Sequence, residues 1–409
     1  MMMRLMTLCL AWVMLAAAPA GLFAKPAEPA IVKLILDTFE TKYGQRPTYE
    51  AMEQTGGAIT LRRFSFIAGE QGADNAPYAV AQSLVLENPT VDDTGLHHLA
   101  RLELKALHVE ERGGGKGLQV DIPLLVMEDV SILPPEAARN PIEKLTAGAF
   151  LAARTQIGEI RFSKPGNPPL TLRGFRYDWQ GDRRTSAGKG TFDLGKLAIP
   201  ASLLSGKTGN DPLKELGYDE LVFTGSGNYD ASWDDEQKMH LDLTFRLGAE
   251  KAGFQEFAIT GLAIPLGLLE KLSDMKKQKE LGDALDKDPA AAMALADGLT
   301  LRGLKLSWID RSLTSRLLEM NARKKGISRQ AYIETLLAYP QILLMQLGLP
   351  RLAAEATPQL RAFLMNPKSL SISVHAQAPM DLKTLMTLMA DPAGLVETLN
   401  LKVEANKED

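Results

Sequence analysis

A ten-residue phrase occurs twice in this chain, as LTLRGFRYDW at Leu170–Trp179 and LTLRGLKLSW at Leu299–Trp308, with a shortened copy, ITLRRFSF, at Ile59–Phe66. In each copy the apolar residues alternate, skip one step and alternate again: Ile59, Leu61, Phe64, Phe66; Leu170, Leu172, Phe175, Tyr177; Leu299, Leu301, Leu304, Leu306. Period-two alternation puts one face of a strand on a core. A one-residue slip would throw the second half onto the opposite face unless the backbone bulges or bends at the skip. Gly174 and Gly303 stand at two of these skips, where a bulge favours glycine. The same spacing recurs at Leu84–Val91, Leu102–Val109 and Leu125–Ile132. It also relates Phe192–Ile199 to Phe257–Ile264, a match that continues through LAIP into two leucines. The expected fold is α+β and β-rich. Its centre is a repetitive, bent antiparallel β-sheet, elongated and able to curl into a groove or half-barrel, with helical insertions and a mostly helical C-terminal region.

The first charge, Arg4, precedes an uncharged run from Leu5 to Ala24, with small residues placed for cleavage after Ala20 or Ala24. That is the layout of a secretory signal peptide, the rival being an uncleaved anchor helix in the inner membrane. The single cysteine, Cys9, lies inside this segment, so an exported mature chain would carry no thiol chemistry, disulfide or cysteine metal site. The formal net charge of −4 and the lack of any basic block set nucleic-acid binding aside. Without disulfides, such a chain must be held by its core.

The expected organisation is a signal peptide over 1–24, an N-terminal helix and linker over 25–54, a repeat-built β-rich domain over 55–308, and a mainly helical region with two short strands over 309–409. Ile31, Leu34, Ile35 and Phe39 mark the apolar face of the first helix. Helical insertions are expected at Pro141–Ala153, at Leu266–Leu285 and after Asp288-Pro289. Met239–Leu247 reads as a half-buried strand. Beyond Ile309, Gly326 is placed to end one helix and Ser328 to cap the next. Thr335–Pro350 is uncharged, and its Pro340 and Gly348 favour burial in the protein over spanning a bilayer. The final strands are expected around Leu370–Val374 and Leu399–Val403.

No stretch carries a specific catalytic signature. Ser205–Thr208 ends like a phosphate-binding loop, but Ala201 stands where its first glycine belongs, so a surface turn is the reading and no nucleotide is expected. Gly113–Gly117 reads as a hairpin loop. His97, His98 and His108, with Asp92 and Asp93, are the nearest approach to a metal cluster, yet adjacent strand residues face opposite ways. Asp234–Glu236 reads as a turn. Trp179, Trp233 and Trp308 end strands, where they cap a sheet core more often than they stack ligands. No catalytic residue, cofactor or metal site is therefore expected.

The phrase AQSLVLENPTVDD at Ala81–Asp93, the run of skipped-alternation strands and the N-terminal apolar segment resemble the AsmA-like and YdgA-like envelope proteins of Gram-negative bacteria. LSWIDRSLTSRLL at Leu306–Leu318 and DPAGLVETLNLKVEAN at Asp391–Asn406 look like a family of uncharacterised exported proteins with the same repeats. The AsmA-like resemblance implies work in lipid transfer or outer-membrane homeostasis through a sheet with an apolar inner face. The functional expectation is a non-enzymatic periplasmic protein that binds lipid, a membrane surface or another apolar ligand. The alternatives are a structural module pairing with an envelope protein and, third, an unrecognised hydrolase.

Overall fold

A computed structural model describes residues 28–43, 45–67, 77–111, 117–204, 212–273, 298–381, 384 and 392–407. The expected signal segment, the 205–208 phrase and the part of the Leu266–Leu285 insertion beyond Ser273 lie outside these residues. So does the helix after Asp288.

The strands are β1 (Ala51–Thr55), β2 (Ala58–Ile67), β3 (Pro77–Glu87), β4 (Thr90–Val91), β5 (His97–Glu111), β6 (Gln119–Ile132), β7 (Phe150–Ser163) and β8 (Leu170–Gly181). They continue as β9 (Gly188–Pro200), β10 (Glu220–Trp233), β11 (Lys238–Ala249), β12 (Gly253–Pro265), β13 (Thr300–Asp310), β14 (Ser369–Asp381) and β15 (Lys402–Ala405). They form one fifteen-stranded antiparallel sheet in sequence order, with β4 pairing only β5 and no closure of β1 onto β15. The chain is thus a β-rich α+β protein. It divides into two compact units between Leu197 and Ala198, inside the tract read as one β-domain. The first strand begins at Ala51, within the stretch read as linker.

The skips are where the backbone turns left-handed. Arg63, Asn88, Ala106, Asp129, Gly174, Gly195 and Gly261 all have positive φ, and each lies at a skip in the alternation. One such residue restores the parity that the skip would break, so Leu61 and Phe64, or Leu104 and Leu107, stay on one side. At the Gly303 skip φ is not positive; there the β13–β14 register itself shifts between Leu301 and Gly303. In the first unit the interruptions line up: the ladder omits Arg63 against Gln82, Gln82 against Ala106, and Ala106 against Pro123. Pro123 has no N–H to donate, so an unpaired position suits it.

In the first unit, helix α1 (Ala30–Tyr43) seals the apolar face of β2–β7. Ile31, Val32, Ile35, Leu36 and Phe39 share a buried core with Leu61, Phe64, Leu86, Leu125 and Ile157. The Phe39 ring meets Phe64 and Phe150 edge-on, at centroid separations of 5.8 and 6.3 Å. Arg46 ties the helix down by pairing with Glu28, Asp37 and Glu40. Helix α2 covers only Pro141–Thr146, capped by Asn140, whose side chain accepts from the Glu143 N–H. The expected helix to Ala153 stops early because Gly148 turns left-handed at φ +76° and Phe150 enters β7.

The second unit carries short helices α3 (Ala201–Leu204) and α4 (Pro212–Glu215), then α5 (Leu266–Ser273). It also holds α6 (Leu313–Lys324), α7 (Arg329–Gln346), α8 (Pro350–Met365) and α9 (Pro392–Thr398). Gly326, at φ +66°, follows α6, and the Ser328 hydroxyl accepts from Ala331 N–H at 3.1 Å, as their sequence positions imply. Leu399 lies just before β15 rather than in it. Helix α8 shields the β15 edge: the Gln359 side chain accepts from Ala405 N–H and Asn406 donates to the Ala362 carbonyl.

Candidate functional site

The same strand grammar that is sealed in the first unit leaves an open apolar face in the second. Register places Tyr229, Leu243, Ile259, Leu304 and Val374 in one cross-strand row. The next row holds Phe245, Phe257, Leu306, Ile372 and Val403, with Gly227 at its β10 end. None of these side chains is buried: Leu306 is 40% exposed, Ile372 45%, and the others half-buried. Among the described residues none joins a buried core, whereas their counterparts under α1 are almost fully enclosed. Contiguous apolar surface of this kind marks binding sites more often than chance exposure does. The opposite face of β11 is wet, with His240 and Asp242 exposed, as alternation requires.

The polar candidates resolve into structural contacts. Asp92 accepts hydrogen bonds from Thr94 Oγ1, Thr94 N–H and Leu96 N–H at 2.8, 2.8 and 3.0 Å, which hold its carboxyl well below the usual range. Its other oxygen lies 3.3 Å from His98 Nε2, and His98 Nδ1 lies 3.1 Å from Ser131 Oγ. This has the order of a hydrolytic relay, but Ser131 is 0% exposed, so its oxygen cannot meet a substrate. The ring is also reversed, since a relay directs Nε2 to the serine and Nδ1 to the carboxylate. His108, towards the far end of β5 from His97 and His98, pairs instead with Asp121 of β6 at 2.7 Å. Among the described residues no group of three or more His, Cys, Asp or Glu side chains is placed to hold a metal ion.

Asp234–Glu236 forms the β10–β11 turn: Asp234 accepts from Lys238 N–H and pairs with His240, each at 2.8 Å. Trp179 is buried, with the Arg183 guanidinium 5.1 Å from its ring centroid. Trp308 donates from Nε1 to Thr314 Oγ1 at 3.1 Å, and Gly253 leaves room for its ring. Both hold sheet to connection, while Trp233 is half-buried at the end of β10. The glycine-rich stretch read as a hairpin loop lies outside the described residues except for Gly117.

Two features were not read from sequence. Arg184 makes a two-pronged ion pair with Glu143, at 3.0 and 2.8 Å, and donates to the Ala137 carbonyl at 2.7 Å and Thr94 Oγ1 at 3.1 Å. Arg184 thereby holds the Glu143 carboxyl below its ordinary range and ties the β8–β9 turn to α2 and the loop before β5. The second concerns the uncharged stretch Thr335–Pro350, read as buried. In α7 only Ile333 and Leu337 are buried, and the following turns expose their apolar residues. Absence of charge alone could not distinguish a buried helix from an exposed apolar one.

Among the described residues, no helix is long and apolar enough to cross a membrane. Residues 243–406, which span both apolar rows from Leu243 to Val403, match a sequence-family model described as "Uncharacterized protein". No curated protein and no solved structure matches the chain.

Proposed function

We propose that the chain is an exported periplasmic envelope protein that binds or shields lipid, or another apolar ligand, on the β10–β15 face. The observation that carries this is the pair of half-open apolar rows, Leu243 to Val374 and Phe245 to Val403. Covering the exposed remainder of each side chain would contribute on the order of 1 kcal/mol, so an acyl chain lying across four or five strands has enough contacts to stay. Curling of this bent sheet into a groove would increase those contacts. Export rests on the N-terminal layout, and the AsmA-like resemblance agrees with the lipid reading.

A second reading, a non-catalytic protein-interaction module, draws on the first unit. Its core is sealed under α1, and among the described residues the β1 edge pairs only with β2, which suits it to pairing with a partner strand. Native mass spectrometry of detergent-free protein, with lipid extraction, separates the two. The lipid reading expects stoichiometric lipid that disappears in a Leu306→Asp, Ile372→Asp variant. A clean apo mass for the wild type would reject it in favour of the interaction module.

A further inference from the structure

We infer that the α7–α8 hairpin tip is a membrane-contact element that inserts shallowly into a lipid bilayer. Tyr339 is 79% exposed, and Ile342, Leu343, Met345 and Leu347 are exposed by 49% to 57%. At 100° per residue these five side chains cover about 200° of the helix circumference. A protein groove takes a narrower stripe of a helix, whereas a bilayer surrounds a tip on all its free sides. The remaining side of α7 faces its neighbours: Ile333 and Leu337 form a core with Leu318, against which Leu360 and Leu364 pack.

Three further observations favour lipid as the occupant. No ionisable residue except Tyr339 occurs between Glu334 and Arg351, so the patch itself carries no charge. Tyr339 lies at the base of the patch, where an amphipathic ring suits the headgroup level, and Arg351, in the first turn of α8 beside the tip, pairs with Glu355 at 3.1 Å with its side chain 82% exposed, so its long stem can carry the charge out to the headgroups. The turn also closes part of its own backbone. Gly348, at φ +73°, donates to the Met345 carbonyl at 3.1 Å, Leu349 donates to Leu344 at 2.8 Å, and Pro350 has no N–H to leave unpaired. Each such pairing lowers the cost of carrying the turn into a low-dielectric layer. From Tyr339 to Leu347 the helix rises about 12 Å, enough to reach the acyl boundary but not to span.

The tip would share a lipid partner with the β10–β15 face but is a different surface, so the test reads the tip alone. The full chain carries Cys9→Ser and Leu343→Cys, the new thiol bearing an environment-sensitive dye, and is mixed with phosphatidylethanolamine–phosphatidylglycerol vesicles. Emission should shift to the blue and be quenched by lipids brominated in the acyl chain, while the dye at Ala362→Cys should not respond. With the dye moved to Met345→Cys, adding Ile342→Asp and Leu343→Asp should raise the lipid concentration for half-response about tenfold or more. A silent dye at position 343 on vesicle-bound protein would assign binding to the N-terminal segment or the sheet and overturn the inference. So would a concentration-dependent shift without lipid, which identifies a second copy as the occupant. A lowered melting temperature in the double aspartate variant would show the patch to be packed inside the protein, with the same consequence.

Discussion

Replacing Ala106 by glycine should stabilise this protein, the reverse of what that substitution does in an ordinary strand. Ala106 lies in β5 at φ +49°, with its methyl exposed. The left-handed conformation costs an L-residue roughly 1–2 kcal/mol that glycine does not incur. Glycine in turn loses more backbone freedom on folding, roughly 0.5–1 kcal/mol relative to alanine. The exposed methyl buries little, so the balance is a gain of about 0.5–1 kcal/mol for Ala106→Gly. The facing glycines of β8 and β9 supply the contrast. Gly174, at φ +83°, has open space where a Cβ would go, so Gly174→Ala should lose only the same net conformational balance, about 0.5–1 kcal/mol. At Gly195, φ +73°, a Cβ would overlap the carbonyl oxygen of Arg173. Gly195→Ala should therefore lose about 3 kcal/mol or more. All three positions lie in the first unit, so urea unfolding followed by far-ultraviolet circular dichroism compares them in one transition. A destabilised Ala106→Gly, or equal losses at Gly174 and Gly195, would refute the assignment of left-handed bends to the skips.

Arg184→Ala should destabilise the first unit by about 3 kcal/mol, because it leaves the buried Glu143 carboxylate without its two-pronged partner; an unchanged midpoint in the same urea assay would contradict this. Since Arg184 depresses the Glu143 pKa in the folded state, that pair's contribution is complete above the unfolded carboxylate value and is lost as pH falls through the folded one. The stability gap between wild type and Glu143→Gln should accordingly be constant above the ordinary carboxylate range and narrow as pH falls below it, and a gap constant with pH throughout would count against the pairing. Phe39→Ala should cost about 3–5 kcal/mol by opening the seal between α1 and the sheet, and it should raise binding of a hydrophobic dye to the first unit. Burial and the Glu28 carboxylate push the Tyr49 phenol up to about 12, so a spectrophotometric titration should contain one late tyrosine that Tyr49→Phe removes.

Much of the sheet was legible because its information is local. A strand in which Leu61 and Phe64, or Leu172 and Phe175, must share a face has to bend between them, and the left-handed residues at 63 and 174 do this. Ser328, Gly326 and the apolar face of α1 were equally local, since caps, stops and amphipathic stripes are written within a few residues of where they act. The Pro141–Ala153 reading failed because one left-handed glycine outweighed an apolar pattern compatible with either helix or strand. Arg184 and Glu143 lie 41 residues apart in sequence, so no spacing rule could have paired them.

The sequence by itself determined that this chain makes bent, one-sided strands, because backbone parity and the placement of apolar residues leave few alternatives. It did not determine what each apolar face meets. Leu61 and Leu304 belong to copies of one phrase; in the first unit that face is enclosed by α1, while in the second Leu304 is only half covered. The uncharged end of α7 could likewise have been core or surface, and only its position beyond the Leu318–Ile333–Leu337 cluster leaves it exposed. Hydrophobicity sets how strongly a residue favours leaving water, whereas the neighbour that removes it from water is chosen by contacts distant in sequence.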